Sequence, residues 1–162
     1  MSESGEAGRY LKTRGIVLDR RPAGEHHLRL DLLSPEDGAI LCLLRPSRKH
    51  PGAQPDLFDE AELALERPRK GGSGYFVREY RPLRRHPGIA ASYRALTEAC
   101  ALAAILRANL DHTEDFAAVC ALLEKALGGY EKNLRPEACT LKSLYLYARQ
   151  EGYPVREGWR AG

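Results

Sequence analysis

The hydrophobic period of this chain changes once, near Pro87-Gly88, and this change constrains the fold more than any other feature of the sequence. Before it, apolar and polar residues alternate in short runs separated by Gly and Pro, which is typical of β-strands. After it, Ala- and Leu-rich stretches repeat with the period of an amphipathic helix. The sequence therefore predicts a disordered tail at 1–11, a β-domain at 12–87 and a helical domain at 88–162.

Five strand candidates precede the change in period. In one of them Leu28, Leu30 and Leu32 alternate with polar residues, and Pro35 and Gly38 of "SPEDG" suit the tight turn that follows. Five short strands with a longer third loop predict a small antiparallel barrel such as an OB-fold, although an SH3-like barrel gives much the same pattern. The candidates are "TRGIVLDRR", "HLRLDLL", "AILCLLR", "EAELALER" and "YFVREYRPL".

Three helices are predicted beyond the barrel. The first spans 89–110, the second starts with Thr113 as its N-cap and ends at Gly128-Gly129, and the third has Pro136 in its first turn. The predicted fold class is therefore α+β, with a five-stranded antiparallel OB-like barrel followed by a three-helix domain.

Several classes of protein are disfavoured by the composition. No run approaches the roughly 18 apolar residues of a membrane span, and the N-terminus lacks the apolar core of a secretory signal. We therefore expect a cytoplasmic protein with no membrane partner. The cysteines form no Cys-x-x-Cys pair and the histidines have no ligand spacing, so we expect no metal and no cofactor. The cysteines are Cys42, Cys100, Cys120 and Cys139.

Catalytic motifs are also missing from the sequence. The stretch "RKGGSG" lacks the Gly-Lys-Ser/Thr ending of a phosphate-binding loop and precedes a predicted strand rather than a helix. No Gly-x-Ser-x-Gly elbow occurs. We therefore predict no catalytic residue, and an enzyme is the weakest of the functional alternatives.

Positive charge is concentrated in the first half of the chain. Residues 1–88 contain 16 Lys+Arg against 13 Asp+Glu, whereas residues 89–162 contain nine of each. Basic clusters at strand ends and in loops of a barrel can hold phosphate, although solvated loop ends explain them nearly as well. The predicted DNA contacts are Arg20, Arg21, Arg45, Arg48, Lys49, Arg67, Arg69 and Lys70, with Arg84 and Arg85 as outer contacts. The candidates for base stacking are Phe58, Tyr75, Phe76 and Tyr80.

The order of these elements resembles the bacterial recombination mediator family RecO. The segment "RGIVLDRRPAGEHHLRLDLLSPEDGAILCLLR" is similar to the family's first three strands, "ELALER" and "GYFVREYRPL" to its next two, and "YARQEGYPVREGW" to the end of a family helix. The positions that match in the first segment are Ile16, Val17, Leu18, Arg21, Gly24, Glu25, Leu30, Leu32, Glu36 and Gly38.

The resemblance implies a nucleoid-associated protein of recombinational DNA repair. Such a protein binds single- and double-stranded DNA, anneals complementary strands, and works with RecR and the single-strand-binding protein to load the RecA recombinase onto gaps. Many family members carry a Cys-x-x-Cys zinc site just after the Gly-Tyr-x-Pro segment and extend further, whereas this chain ends there. We therefore expect no zinc, and binding to RecR stays open.

Two functional alternatives remain at the level of the sequence. One is an adaptor whose helical domain binds the acidic, aromatic tail of the single-strand-binding protein without strong direct contact to DNA. The other is an RNA-binding OB module, since a barrel alone does not distinguish the two polymers.

Overall fold

The computed structural model describes residues 8–49, 54–132 and 135–153. The chain divides into two compact units, Met1–Arg85 and His86–Gly162, and each is described by itself. Residues 1–7 of the predicted tail lie outside the described residues. Tyr10 and Leu11 were assigned to that tail, but they are the first residues of a strand and pair with Glu66 and Leu65.

The first unit is a closed five-stranded barrel, which confirms the predicted OB-like fold. Its strands are β1 (Tyr10–Ala23), β2 (His27–Ser34), β3 (Gly38–Leu44), β4 (Glu60–Glu66) and β5 (Tyr75–Arg84). They follow one another around the barrel in the order β1-β2-β3-β5-β4, and β4 pairs with β1 to close it.

The prediction of a purely antiparallel barrel is wrong at one junction. Strands β3 and β5 run parallel, with Cys42 opposite Tyr75 and Leu43 opposite Phe76. The reason is geometric, because a closed ring with an odd number of strands cannot alternate in direction all the way around. At least one neighbouring pair must be parallel, and here it is β3 and β5.

The alternating leucines of β2 form part of the barrel core. Leu30 and Leu32 are fully buried and pack with Val17 of β1 and Cys42 of β3, whereas Leu28 is half-buried nearer the hairpin end. Strand β1 is long enough to pair with β4 along its first half and with β2 along its second half. The register shift after Val17 marks the point where it changes partner.

The second unit contains four α-helices among the residues that the structure describes, rather than the predicted three. They are α1 (Pro87–Ala90), α2 (Tyr93–Asn109), α3 (Phe116–Glu131) and α4 (Pro136–Gln150), with a 3₁₀ turn at Leu110–His112. The first predicted helix is split because the side chain of Ser92 accepts a hydrogen bond from the Ala95 N–H and so starts a new helix. None of the described helices has the length and apolar character needed to cross a membrane.

Helix α3 differs from its prediction at both ends. Its N-cap is Asp115, whose Oδ1 accepts a hydrogen bond from the Ala118 N–H at 3.0 Å, and not Thr113. The helix also continues through Gly128-Gly129 to Glu131, because Tyr130 is fully buried on it and donates or accepts a hydrogen bond with Thr140 of α4. Tertiary packing here outweighs the low helix propensity of glycine.

Candidate nucleic-acid interface

Two basic loops flank the parallel β3–β5 pair. The β3–β4 loop leaves the pair at Arg45, after the last residue of β3, and the β4–β5 loop enters it from the opposite direction at Tyr75, the first residue of β5. Gly74 fits closely at this junction: it has φ +112°, and a Cβ on it would lie 3.4 Å from the carbonyl oxygen of Leu41. The two loops therefore place cations on both sides of the Leu43–Phe76 pair.

A row of cross-strand neighbours connects this junction to the β1–β2 hairpin. Arg21 lies opposite Arg29, Arg29 opposite Leu43, and Leu43 opposite Phe76. Paired residues project to the same side of a sheet, and Arg21, Arg29 and Phe76 are all exposed. Arg20 pairs with the buried Leu30 and so projects to the other side of β1. The structure therefore separates the two predicted contacts of β1.

Five cations of these two loops are exposed and make no ion pair with any residue in 8–49, 54–132 or 135–153. By contrast, Arg21 contacts Asp19 at 2.6 Å, and Arg29 lies 3.6 Å from Asp31. We call the five cations together with Phe76 the basic edge. They are Arg45, Arg48, Lys49, Arg69 and Lys70.

The predicted outer contacts Arg84 and Arg85 do not belong to the basic edge. They lie at the end of β5, about 30 Å along the strand from Tyr75 at roughly 3.3 Å per residue. Arg85 donates a hydrogen bond to the carbonyl oxygen of Gln54 at 2.8 Å and lies 3.7 Å from Asp59 Oδ2. Arg85 therefore anchors the last part of the β3–β4 loop to the barrel.

Arg67 also has a structural contact. Its guanidinium lies 5.4 Å from the centre of the Tyr75 ring, and its Nε donates a hydrogen bond to the Tyr75 hydroxyl at 3.3 Å. The backbone N–H of Arg67 donates to the carbonyl oxygen of Arg9 at 2.8 Å. Arg67 and Tyr75 together close the end of the barrel where β1 begins.

Two of the four predicted stacking aromatics are structural. Phe58 is 1% exposed and has φ +67°, and its backbone N–H donates to the carbonyl oxygen of Val17 at 2.9 Å. The Tyr80 hydroxyl donates to Asp59 Oδ2 at 2.6 Å. Burial and the neighbouring carboxylate raise the pKa of Tyr80, and burial raises the pKa of Asp59. Of the four, Phe76 is the exposed one, at 40%.

An exposed aromatic that the sequence analysis missed lies at the start of β1. Tyr10 is 56% exposed and pairs with Glu66, which in turn pairs with Phe76. The Arg9 guanidinium lies 5.7 Å from the centre of the Tyr10 ring. Because the apolar–polar alternation of β1 extends back to this residue, the sequence pattern could have identified it.

The surface formed by β4, β5 and the first half of β1 contains paired charges. Arg14 lies 3.6 Å from Glu60, Arg81 pairs with Glu62, and both Arg9 and Arg78 pair with Glu66. The hydrogen bond from Arg78, with help from Arg9, lowers the pKa of Glu66. We call these pairs the ionic ladder, and its arginines are all engaged by carboxylates.

The second unit has an apolar groove with a basic rim between α3 and α4. Its volume is about 1200 Å³, and its floor is made of alanine and leucine side chains together with Cys139. No acidic residue lines it among the described residues. Gly129 allows the two helices to approach, since a Cβ there would lie 2.9 Å from Cys139 Sγ. The rim cations are Lys125, Lys132, Arg135, Lys142 and Arg149.

Within the described ranges, no three His, Cys, Asp or Glu side chains come together in a way that could hold a metal ion. The sequence matches no protein-family model, and a search of curated proteins gives no significant match. The function is therefore inferred from the geometry of the basic edge and of the groove between α3 and α4.

Proposed function

We propose that this protein is a non-catalytic DNA-binding protein that holds the backbone of single-stranded DNA on the basic edge of its barrel. The observation that carries the proposal is the set of five loop cations without a described acidic partner, on the two loops that flank the exposed Phe76. Cations of this kind bind phosphates with release of counterions, and an exposed aromatic ring offers a surface on which a base can stack.

The resemblance to RecO supports a role in recombinational DNA repair. We propose that the protein binds both single- and double-stranded DNA, anneals complementary strands, and acts with RecR and the single-strand-binding protein in the cytoplasm, at the nucleoid. Annealing requires two polyanions to approach each other. Exposed cations that bind phosphate regardless of sequence reduce that repulsion and leave the base edges available for pairing.

The proposal is tested by fluorescence anisotropy with a labelled single-stranded oligonucleotide at several salt concentrations. We expect binding that weakens as salt increases. Arg48→Ala/Lys49→Ala should weaken it uniformly across sequences and reduce the slope of log K against log salt by about 1.4, at roughly 0.7 per phosphate contact of a single strand. The control is Arg14→Ala/Arg81→Ala on the ionic ladder, which removes the same charge.

Absence of salt-dependent binding at low ionic strength would refute DNA binding. An equal loss in the ladder control would show that net charge matters and the basic edge does not. Competition between DNA and RNA oligonucleotides of one sequence tests the alternative of an RNA-binding module, which predicts that RNA displaces DNA at lower concentration.

A second candidate function, that of a protein adaptor, is favoured by the groove between α3 and α4. An apolar floor bordered by five cations suits an acidic peptide that contains an aromatic side chain, such as the tail of the single-strand-binding protein. Binding of a labelled peptide with these properties should be lost in Lys132→Glu/Lys142→Glu and kept in Arg48→Ala/Lys49→Ala. Loss in the second variant alone would refute the groove as the peptide site.

A further inference from the structure

A pocket of about 420 Å³ opens at the end of the barrel where β1 begins. Its walls come from the starts of β1, β3 and β5, from the β2–β3 turn and from the residue that follows β4. Small-molecule sites in proteins have volumes of roughly 300–1,000 Å³ and combine apolar walls with a few convergent polar groups. This pocket likewise combines apolar walls with a few polar groups, and residues 45–49 of the basic edge do not line it.

The apolar and aromatic walls suit a flat ring. Tyr10 and Tyr75 both line the pocket, together with Leu11 and Ile40. Each tyrosine ring has an arginine above one face, Arg9 at 5.7 Å from one and Arg67 at 5.4 Å from the other. Unstacked bases of single-stranded nucleic acids bind between aromatic rings and guanidinium planes of this kind.

One carboxylate faces the pocket and is held in place by the turn that contains it. Asp37 Oδ2 accepts a hydrogen bond from the Thr13 hydroxyl at 2.7 Å, and the Asp37 N–H donates to Ser34 Oγ at 3.1 Å. An ionised carboxylate only accepts hydrogen bonds. Guanine presents two adjacent N–H donors on its Watson–Crick edge, whereas the other three bases present one donor group each. The carboxylate therefore favours guanine.

A second hollow of about 410 Å³ adjoins the pocket and provides positive charge. The two cavities share Gly8 and Arg67, and the second is also lined by Arg9 and by Arg69 of the basic edge. A phosphate attached to a nucleotide in the pocket would therefore lie near cations. The strand beyond it would continue along the β4–β5 loop.

From these observations we infer that the pocket binds one unstacked guanine base of single-stranded DNA, with Tyr10 and Tyr75 as stacking surfaces and Asp37 as the acceptor for its Watson–Crick edge. This inference rests on the proposed function, because it adds a base-selective position to a surface that otherwise binds DNA regardless of sequence. The protein would then pause or orient on strands where a guanine is available.

The test compares a labelled oligothymidylate with the same oligonucleotide containing one central guanosine. We expect the guanosine to strengthen binding at least threefold in the wild type. Asp37→Asn should remove that preference while it keeps an acceptor for Thr13, and Tyr10→Ala should weaken binding of both oligonucleotides. Tyr93→Ala, which removes a tyrosine that is 85% exposed in the second unit, is the control.

Salt-dependent binding of both oligonucleotides with no difference between them would overturn the inference and leave the proposed function intact. If neither oligonucleotide binds, the proposed function is refuted. The pocket is tested separately by titrating deoxyguanosine monophosphate and thymidine monophosphate against the protein in NMR spectra. Shifts at Tyr10 and Asp37 with the guanine nucleotide alone support the inference, and their absence overturns it.

Discussion

The ionic ladder and the basic edge use the same type of residue on the same barrel with opposite outcomes. On the ladder, Arg14, Arg78 and Arg81 are each engaged by a glutamate of β4. On the basic edge, Arg48 and Arg69 have no described acidic partner. The difference arises from the sheet, because strand pairing brings side chains of adjacent strands close together, as it does for Arg81 opposite Glu62, whereas a loop residue has no such neighbour.

This comparison shows that the positions of acids relative to bases are more informative about binding than the net charge. The chain has a formal charge of only +3, which by itself indicates no polyanion partner. The ladder neutralises the positive charge of one surface of the barrel. It leaves the excess positive charge on the loops beside the β3–β5 junction.

Charge reversal on the basic edge is expected to have the largest effect on DNA binding. Arg48→Glu/Arg69→Glu should weaken binding of single-stranded DNA by about tenfold to a hundredfold at low salt, because each change removes a phosphate contact and adds a repulsion. Fluorescence anisotropy measures the affinity. The matched control, Arg14→Glu/Arg81→Glu, makes the same change in net charge on the ladder, and affinities that fall equally in both would abolish the distinction between the two surfaces.

Removal of the exposed ring on the basic edge should have the next largest effect. Phe76→Ala is expected to weaken DNA binding by about five- to tenfold, which corresponds to the lower end of the roughly 1–3 kcal/mol that stacking of one base on an aromatic ring contributes. Tyr80→Phe is the control: it should leave affinity unchanged and reduce stability by about 1 kcal/mol, because it removes the hydrogen bond to Asp59. Anisotropy and urea denaturation separate the two outcomes, and unchanged affinity in Phe76→Ala would exclude stacking there.

The sequence was sufficient to predict the class of fold because the period of its apolar residues changes from two to that of a helix at one place. Leu30 and Leu32 could be assigned to the core in the same way, since alternation fixes which face of a strand is buried. The parallel β3–β5 pair could not be found from alternation, which is the same in both directions. It follows from closing a five-stranded ring.

The site could be predicted only in part, because neither burial nor partners are visible in a list of residue types. Arg48 and Arg85 are both cations near strand ends, yet only the structure shows that Arg85 contacts Asp59. Phe58 and Phe76 are likewise indistinguishable until the structure shows that Phe58 is buried, with φ +67°, and Phe76 is exposed. Such assignments depend on long-range pairings that local propensity does not encode.

The ladder itself can be tested through its dependence on pH. The pKa of Glu66 is lowered by Arg78 and Arg9, so its charge stabilises the folded protein above the ordinary carboxyl value of 4.5. That stabilisation is lost as the pH falls through the lowered pKa. Glu66→Gln should therefore be less stable than the wild type at pH 7, and the two free energies of unfolding should converge in acid, as measured by urea denaturation. Unfolding free energies that stay a constant distance apart down to pH 2 would contradict the assignment.

The smallest effect on DNA binding is expected at Arg85, a predicted contact that the structure gives an anchoring role. Arg85→Met should change DNA affinity by less than about twofold. Arg84→Met tests the neighbouring arginine, which makes no ion pair with any described residue.

The free energy of unfolding, by contrast, should change in Arg85→Met. Burial already raises the pKa of Asp59 above 3.8, so the folded state loses stability as the pH rises through the raised pKa and the buried group ionises. Without Arg85 that loss becomes larger, and the gap between variant and wild type in urea denaturation should widen from pH 4 to pH 7. A loss of affinity equal to that of Arg48→Ala/Lys49→Ala would instead extend the DNA surface to the far end of β5.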